Sequence, residues 1–221
     1  MNISLLVQSE LFRGIREEDL GALLSCLNAH EKRFVKGSTI YRAGETVREI
    51  GLVELGSVNI VVNFYWGDSH IFGHVEAGQI FAETYAAIPG KELLADVVAS
   101  EECTVVFLDM FRLLNTCSSG CDFHNQIIQN LVRISASKNL GLSARMMHTA
   151  SRSIRERLLS YLSYQAQEKG SSHFRIPFSR QELADYLGVD RSALSSELGK
   201  MQRDGLLRFH KNEFYLERDM T

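Results

Sequence analysis

No apolar run in these 221 residues approaches the roughly 18–20 needed to cross a bilayer. The opening stretch MNISLLVQSELF has neither a basic n-region nor a small-residue cleavage site. No signal peptide and no membrane partner are therefore expected, and the expected address is the cytoplasm. Cysteine is scarce as well, with Cys26, Cys103, Cys117 and Cys121 the only four. Thiols of a cytosolic chain are expected to be reduced and in many cases simply buried. Cys117, Cys121 and His124 form a C-x3-C-x2-H spacing that matches no common zinc pattern, so neither a metal nor a cofactor is expected. Catalytic apparatus is also missing. Glu83, His70 and Cys117 are the nearest candidates, yet there is no nucleophile with a nearby base, no phosphate loop and no metal triad, and an enzyme is not expected.

An overall excess of positive charge is the last absence, because the formal net charge is −3. It hides an asymmetry. Residues 1–148 hold 12 basic against 17 acidic residues, net −5, and residues 149–221 hold 12 against 10, net +2. The C-terminal part can meet phosphate, and the N-terminal part does other work. With 45% apolar and 23% charged residues the composition is that of a folded globular chain, long enough for one large domain or two ordinary ones.

Residues 10–29 carry Leu20, Leu23, Leu24 and Leu27 at helical intervals. Between 33 and 108 the texture changes to short Val, Ile and Phe runs punctuated by glycine at 37, 44, 51, 56, 67, 73, 78 and 90. Ser57 to Tyr65, the turn Trp66-Gly67-Asp68, and Ile71 to Val75 make a hairpin, and Val97, Val98, Val105, Val106 and Phe107 supply further strands. A closed barrel or roll is expected. From Asp122 the period becomes helical. Ile127, Leu131 and Ile134 mark one stripe and Ile128, Val132 and Leu142 an adjacent one, so the helix can cover the roll and also pair with a second copy, although Lys138 and Gly141 interrupt the seam. His148 to Ser151 breaks it, Ser151 is placed to cap a helix Arg152 to Glu168, and Lys169-Gly170-Ser171-Ser172 ends that helix.

Residues 173–217 carry the sharpest pattern. Phe174 to Phe178 reads as a short strand, and Ser179 with Glu182 as an S-x-x-E capping box. The helix buries Leu183, Ala184 and Leu187 and stops at Gly188. Asp190 can cap the next helix, Arg191 to Asp204, which carries Leu194, Leu198 and Met201 on one face and Arg191, Ser192, Ser195, Ser196 and Gly199 on the other. Two helices so joined make a helix-turn-helix, and a small polar face led by an arginine suits a major groove. Leu206 to His210 and Glu213 to Glu217 flank the turn Lys211-Asn212, giving a wing.

These segments resemble the cyclic-AMP receptor protein / fumarate-nitrate reductase regulator superfamily. The resemblance rests on Leu11-Phe12-x-Gly14-Ile15, Lys36-Gly37, Ala43-Gly44-Glu45, Gly56-Ser57-Val58, Gly78-Gln79-x-Phe81-Ala82-Glu83, Arg180-Gln181-Glu182-Leu183 and Gly188-Val189-x-Arg191. It implies an α+β chain, with a cyclic-nucleotide-binding-like β-roll sensor over 1–121, a dimerisation helix and hinge over 122–148, and a winged helix over 149–221. It implies a homodimer on a partly palindromic double-stranded operator, half-sites about one helical turn apart. RNA polymerase is a further expected partner. By the same resemblance Arg191 reads guanine, and Arg180 and Gln181 contact phosphate. Ser192 and Ser196 stand where well-known members carry glutamate and a second arginine, so different bases should be read. Ser195 lies on the same face.

In cyclic-nucleotide-binding members a Gly-Glu pair and, about ten residues on, an Arg-Ser pair hold the nucleotide. Here those positions are Ala82-Glu83 and Leu93-Leu94. A buried phosphate without a cation is strongly disfavoured, so cyclic AMP is not the expected effector. Lys91, placed on the strand face of Leu93, is the nearest substitute, and Glu83 can instead cap a helix. An unidentified, less polar effector or none at all is the alternative. The N-terminal cysteine cluster that holds iron–sulfur in oxygen-sensing members is missing, and His70 and His74, the candidate haem ligands, read as solvated. Two other functions remain open at this point: a regulator that does bind a cyclic nucleotide, and a ligand-binding protein acting only through protein contacts.

Overall fold

The computed structural model describes residues 1–65, 67, 69–115 and 122–217. In order the elements are α1 (Ile3–Leu6), α2 (Glu17–Cys26), β1 (His30–Phe34), β2 (Thr39–Tyr41), β3 (Glu49–Leu55), β4 (Ser57–Asn63), β5 (Ser69–Glu76), β6 (Ile80–Phe81), α3 (Glu83–Ala86), β7 (Asp96–Ala99) and β8 (Cys103–Asp109). Then come α4 (Met110–Leu114), α5 (Asp122–Thr149), α6 (Ile154–Lys169), β9 (His173–Arg175), α7 (Arg180–Leu187), α8 (Arg191–Arg203), β10 (Leu207–His210) and β11 (Glu213–Leu216). Two compact units result, Met1–Ala136 and Ser137–Thr221.

The first unit is built on two four-stranded antiparallel sheets, ordered β1-β8-β3-β6 and β2-β7-β4-β5. Strand side chains alternate faces, and here both faces of the first sheet are covered. Val53, Phe81, Cys103, Val105 and Phe107 turn into the roll and meet Val58, Val75, Val97 and Ala99 of the second sheet. Ile50, Leu52, Ile80, Val106 and Leu108 turn the other way, into a core with Leu20, Leu23, Leu24, Leu27, Ile127, Leu131 and Ile134. Double burial is why β8 reads as an unbroken apolar run.

Two glycines counted as punctuation, Gly51 and Gly73, lie inside β3 and β5 instead. At Gly51 the reason is space: a Cβ there would stand 2.1 Å from the Phe81 ring. The hairpin falls as expected, with β4 paired to β5 from Ser57↔Glu76 to Asn63↔Ser69. Trp66 and Asp68 of its turn, and Cys117 and Cys121, lie outside the described residues.

In the second unit a three-stranded sheet, β10-β11-β9, backs three helices. Its core joins Leu158, Tyr161, Leu162, Leu183, Leu187, Leu194, Leu198, Met201 and Phe214. Each such aliphatic side chain contributes about 1.5–3 kcal/mol on burial. Two boundaries differ from the sequence reading. The cap of α6 is Ser153, whose Oγ accepts from Glu156 N, rather than Ser151, whose carbonyl accepts from Arg157. The strand expected over 174–178 is His173–Arg175: Ile176 still donates to Asn212 O, but Pro177 has no N–H to continue the ladder.

α5 runs for 28 residues through the boundary between the units, unbroken at Lys138 and Gly141. Val132, Leu140, Leu142, Met146 and Met147 along it are exposed.

Candidate nucleic-acid interface

The helix-turn-helix is held together from its caps. Ser179 Oγ accepts from Glu182 N and the Glu182 carboxylate accepts from Ser179 N, closing the capping box. Hydrogen bonds from Ser179 hold Glu182 below the usual carboxylate range. Gly188 ends α7 in the left-handed region, at φ 63°, where a side chain would be strained. Asp190 then caps α8, accepting from Ser192 Oγ at 2.5 Å, Ser192 N at 2.8 Å and Ala193 N at 2.9 Å. The Ser192 hydroxyl bond comes first among the causes that keep Asp190 ionised below its ordinary range. Its charge is thus engaged at the helix terminus.

α8 buries Leu194, Leu198 and Met201 completely. Arg191, Ser192, Ser195, Ser196, Lys200, Gln202 and Arg203 are exposed. The sequence reading missed Gln202 and Arg203. Their offsets of seven from Ser195 and Ser196, two full turns, were the available signal. The guanidinium of Arg203 lies over Gly199, where even an added Cβ would make ordinary contact at 3.7 Å. Glu197 flanks this face, but Arg155 takes it at 2.7 Å and Lys200 at 3.5 Å, and the Arg155 hydrogen bond holds it below the carboxylate range. Arg155 also reaches Asp204 at 2.6 Å, so a single cation from α6 pairs with both carboxylates that would otherwise repel phosphate.

Arg180 and Gln181, expected to meet phosphate, are placed differently from one another. Arg180 Nη2 donates to Lys211 O at 2.9 Å, and its guanidinium lies 5.0 Å from the Phe209 ring centroid and 5.9 Å from that of Phe214. Burial lowers its pKa, and it clasps the wing turn. Gln181 is exposed and donates to Asp185 at 2.9 Å. Arg175, Ser179, Arg180 and Lys211 line one surface groove at the start of α7.

Two further arginines, which nothing local in the sequence marks, hold the far end of α7. Arg157 Nη1 donates to Leu187 O at 2.8 Å and Gly188 O at 3.2 Å. Arg145 donates to Tyr186 O and Asp185 O, each at 3.1 Å. Both pairings span 30 or more residues, beyond the reach of any periodicity.

In the roll, Ala82 stands in the left-handed region at φ 63° as the N-cap of α3, and Glu83 is that helix's buried first residue. Glu83 therefore does not cap the helix; Ala82 occupies that position without a side-chain bond. The expected placing of Lys91 beside Leu93 fails too. Residues 91–95 form no strand, only the bridge Thr46↔Glu92, because Leu93 N donates to Glu45 O in a loop pairing. Leu93 is 4% exposed, Leu94 is 72% exposed and Lys91 is exposed. Glu83, Ala82, Lys91, Leu93 and Leu94 thus bring no cation into the interior, which is filled by Phe34, Tyr41, Phe81 and Phe107 with the aliphatic residues named above. His70 and His74 are exposed on β5, His74 lying 2.7 Å from Asn59 Oδ1. His124 is buried with Nε2 3.2 Å from Arg112 O and 4.0 Å from Cys26 Sγ. Among the described residues no group of three or more His, Cys, Asp or Glu could hold a metal ion, and no helix is long and apolar enough to cross a membrane.

Comparison with known proteins agrees with this division. Residues 31–119 match the cyclic nucleotide-binding domain model and residues 156–219 the Crp-like helix-turn-helix domain model. The chain is 26% identical to the transcriptional regulator LdrP of Thermus thermophilus, over 84% of this chain and 91% of that protein. It is 23% identical to the fumarate and nitrate reduction regulatory protein of Escherichia coli, over 87% of this chain and 76% of that one. Among solved structures the fold is similar to that of the regulator CLP of Xanthomonas campestris, described as c-di-GMP responsive (TM-score 0.58, 19% identity, 92% and 100% covered). It is also similar to that of the Thermus thermophilus catabolite activator protein (TM-score 0.51, 20% identity, 94% and 93% covered). A roll matching the cyclic nucleotide-binding domain, followed on one chain by the capped helix pair and wing of a Crp-like domain, places this protein in the cyclic-AMP receptor protein / fumarate-nitrate reductase regulator superfamily of transcription regulators, which couple an effector-binding domain to a DNA-binding helix-turn-helix.

Proposed function

We propose that the chain acts in the cytoplasm as a homodimer, and not as an enzyme, laying one α8 from each copy into successive major grooves of a partly palindromic operator. The observation that carries this is the two-sidedness of α8: Leu194, Leu198 and Met201 fully buried, and Arg191, Ser195 and Ser196 exposed on a helix fixed at its start by Asp190. Arg191 presents its fork to guanine O6 and N7, and Ser195 and Ser196 reach neighbouring base edges. Ser192 reads less, because its hydroxyl already braces Asp190. Gln181, with Arg180 beside it, meets the phosphate backbone, and Lys211 brings the wing turn to it. The exposed Val132, Leu140 and Met147 on α5 support self-association, and RNA polymerase is the proposed protein partner if bound DNA is to be transcribed.

For the roll, the proposed effector is a molecule of little charge rather than cyclic AMP. An anionic phosphate would enter an interior lined by Phe34, Tyr41, Phe81 and Phe107, and no Lys or Arg is among the buried described residues.

Arg191→Ala tests the DNA reading by fluorescence anisotropy on a duplex that the wild-type chain enriches from a randomised pool. The expected loss is about 1–3 kcal/mol per half-site, with relaxed preference at one base pair in each. An unchanged affinity and preference would remove Arg191 from the reading role. Light scattering of the wild type at micromolar concentration should give the mass of a dimer, and a monomer mass contradicts the symmetric arrangement.

A further inference from the structure

The C-terminal carbonyls of a helix have no partner within it, and they form its negative end. At the end of α7, four successive carbonyls are taken by two guanidinium groups from other helices. Arg145 holds those of Asp185 and Tyr186, and Arg157 those of Leu187 and Gly188. The two arginines come from different places. Arg157 sits in the first turn of α6 and ties the turn to the second unit's own core. Arg145 sits in the last turns of α5, whose earlier residues Ile127, Leu131 and Ile134 belong to the core of the first unit.

The Arg145 contact is reinforced. Its guanidinium lies 5.6 Å from the centroid of the Tyr186 ring. Three residues further along α5, His148 is 2% exposed, and its Nδ1 lies 2.9 Å from the Tyr186 hydroxyl. The imidazole is enclosed by the rings of Tyr161, Tyr164 and Tyr186 at 5.5, 5.2 and 5.9 Å. Tyr186 is therefore held by its carbonyl, its ring and its hydroxyl, all from α5. Only Leu187 to Asp190 separate it from Arg191.

We propose that Arg145 is a positioning residue for DNA reading. It fastens the last turns of α5 to the end of α7, and so fixes where the turn Gly188-Val189-Asp190, and with it Arg191, stands within the second unit. The two-pronged grip on adjacent carbonyls needs the planar guanidinium, and a single ammonium cannot reproduce it. The proposal rests on the reading of DNA by Arg191 given above.

The test compares full-length wild type with Arg145→Ala, Arg145→Lys and Arg191→Ala. Anisotropy is measured on the duplex the wild type enriches from a randomised pool and on a scrambled duplex of the same length and composition, alongside thermal melting. The expected result is a loss of at least about tenfold on the enriched duplex for both Arg145 variants, given the usual worth of charged hydrogen bonds. Affinity for the scrambled duplex and the melting temperature should stay near wild type, since Arg157 still holds the turn. Three results overturn the proposal: wild-type affinity in Arg145→Ala, equal loss on both duplexes with a lowered melting temperature, or full rescue by Arg145→Lys. If Arg191→Ala loses preference while Arg145→Ala does not, only the positioning role falls. If the wild type enriches no duplex, or Arg191→Ala keeps its preference, the reading itself falls and takes the positioning role with it.

Discussion

The expected effector positions of the roll and the proposed reading face of α8 meet the family pattern in opposite ways. At the roll, alanine stands where the pattern has glycine, held at φ 63°, and two leucines stand where it has arginine and serine, one buried and one pointing to solvent. At α8, the arginine is kept and its supports are complete: a capping box before the first helix, a left-handed glycine at the turn, and an aspartate capping the second. The output half is built to hold a shape that DNA dictates, which varies little. On the proposed reading the input half answers to whatever molecule must be sensed, and an apolar filling in the same roll would change that answer without changing the fold.

The sharpest way to break the comparison is to damage one half alone. Phe107 is 4% exposed, stacks on its cross-strand neighbour His30 at 5.3 Å and meets Phe34 and Tyr41 edge-on. Phe107→Ala should cost the first unit about 3–5 kcal/mol. Calorimetric melting should show that unit's transition fall while that of the winged helix holds. A common fall of both transitions would mean that the halves are energetically one.

A smaller effect separates the halves by pH. Burial lowers the pKa of His148 from its ordinary 6.5, so the folded second unit refuses a proton that its unfolded chain accepts. Its neutral imidazole contributes fully above about pH 6.5, and that contribution is lost as the pH falls below it. Tyr161 and Tyr164 on α6 and Tyr186 on α7 surround it, Arg145 of α5 lies over the Tyr186 ring, and none of these offers a carboxylate to offset the positive charge. Melting of the second unit should therefore drop on acidification through this range, and His148→Phe should flatten the slope. A slope unchanged by that substitution would place the acid sensitivity elsewhere.

The smallest expected effect is none. Titration calorimetry with cyclic AMP and cyclic GMP should give no tight binding to the roll, because no Lys or Arg is buried there among the described residues. A micromolar affinity in a well-folded sample would restore the roll to the family's ligand class and collapse the contrast drawn above.

Much of the second unit was legible in the sequence because its signals are local. A cap acts within three residues, and a helical face repeats every three or four, so Ser179, Glu182, Asp190 and the Leu194, Leu198, Met201 face could be read directly. The cap of α6 falls two residues later than expected, at Ser153 rather than Ser151, because Ser153 is the residue whose Oγ accepts from Glu156 N. In the first unit the apolar runs announced strands but not their two-faced burial, and Gly51 passed for a turn because its reason, the Phe81 ring, lies 30 residues away.

By itself, then, the sequence determined which segments become helices and strands, where the helix pair turns, and which side of α8 faces water. Those follow from backbone geometry and from apolar spacing over a few residues. Only the tertiary structure decided that Lys91 leaves the face of Leu93, that Arg180 turns to the wing, and that Arg145 and Arg157 share the end of α7. A long cationic side chain has no periodic signature; its partner is whichever unsatisfied carbonyl or aromatic face the finished chain brings within reach.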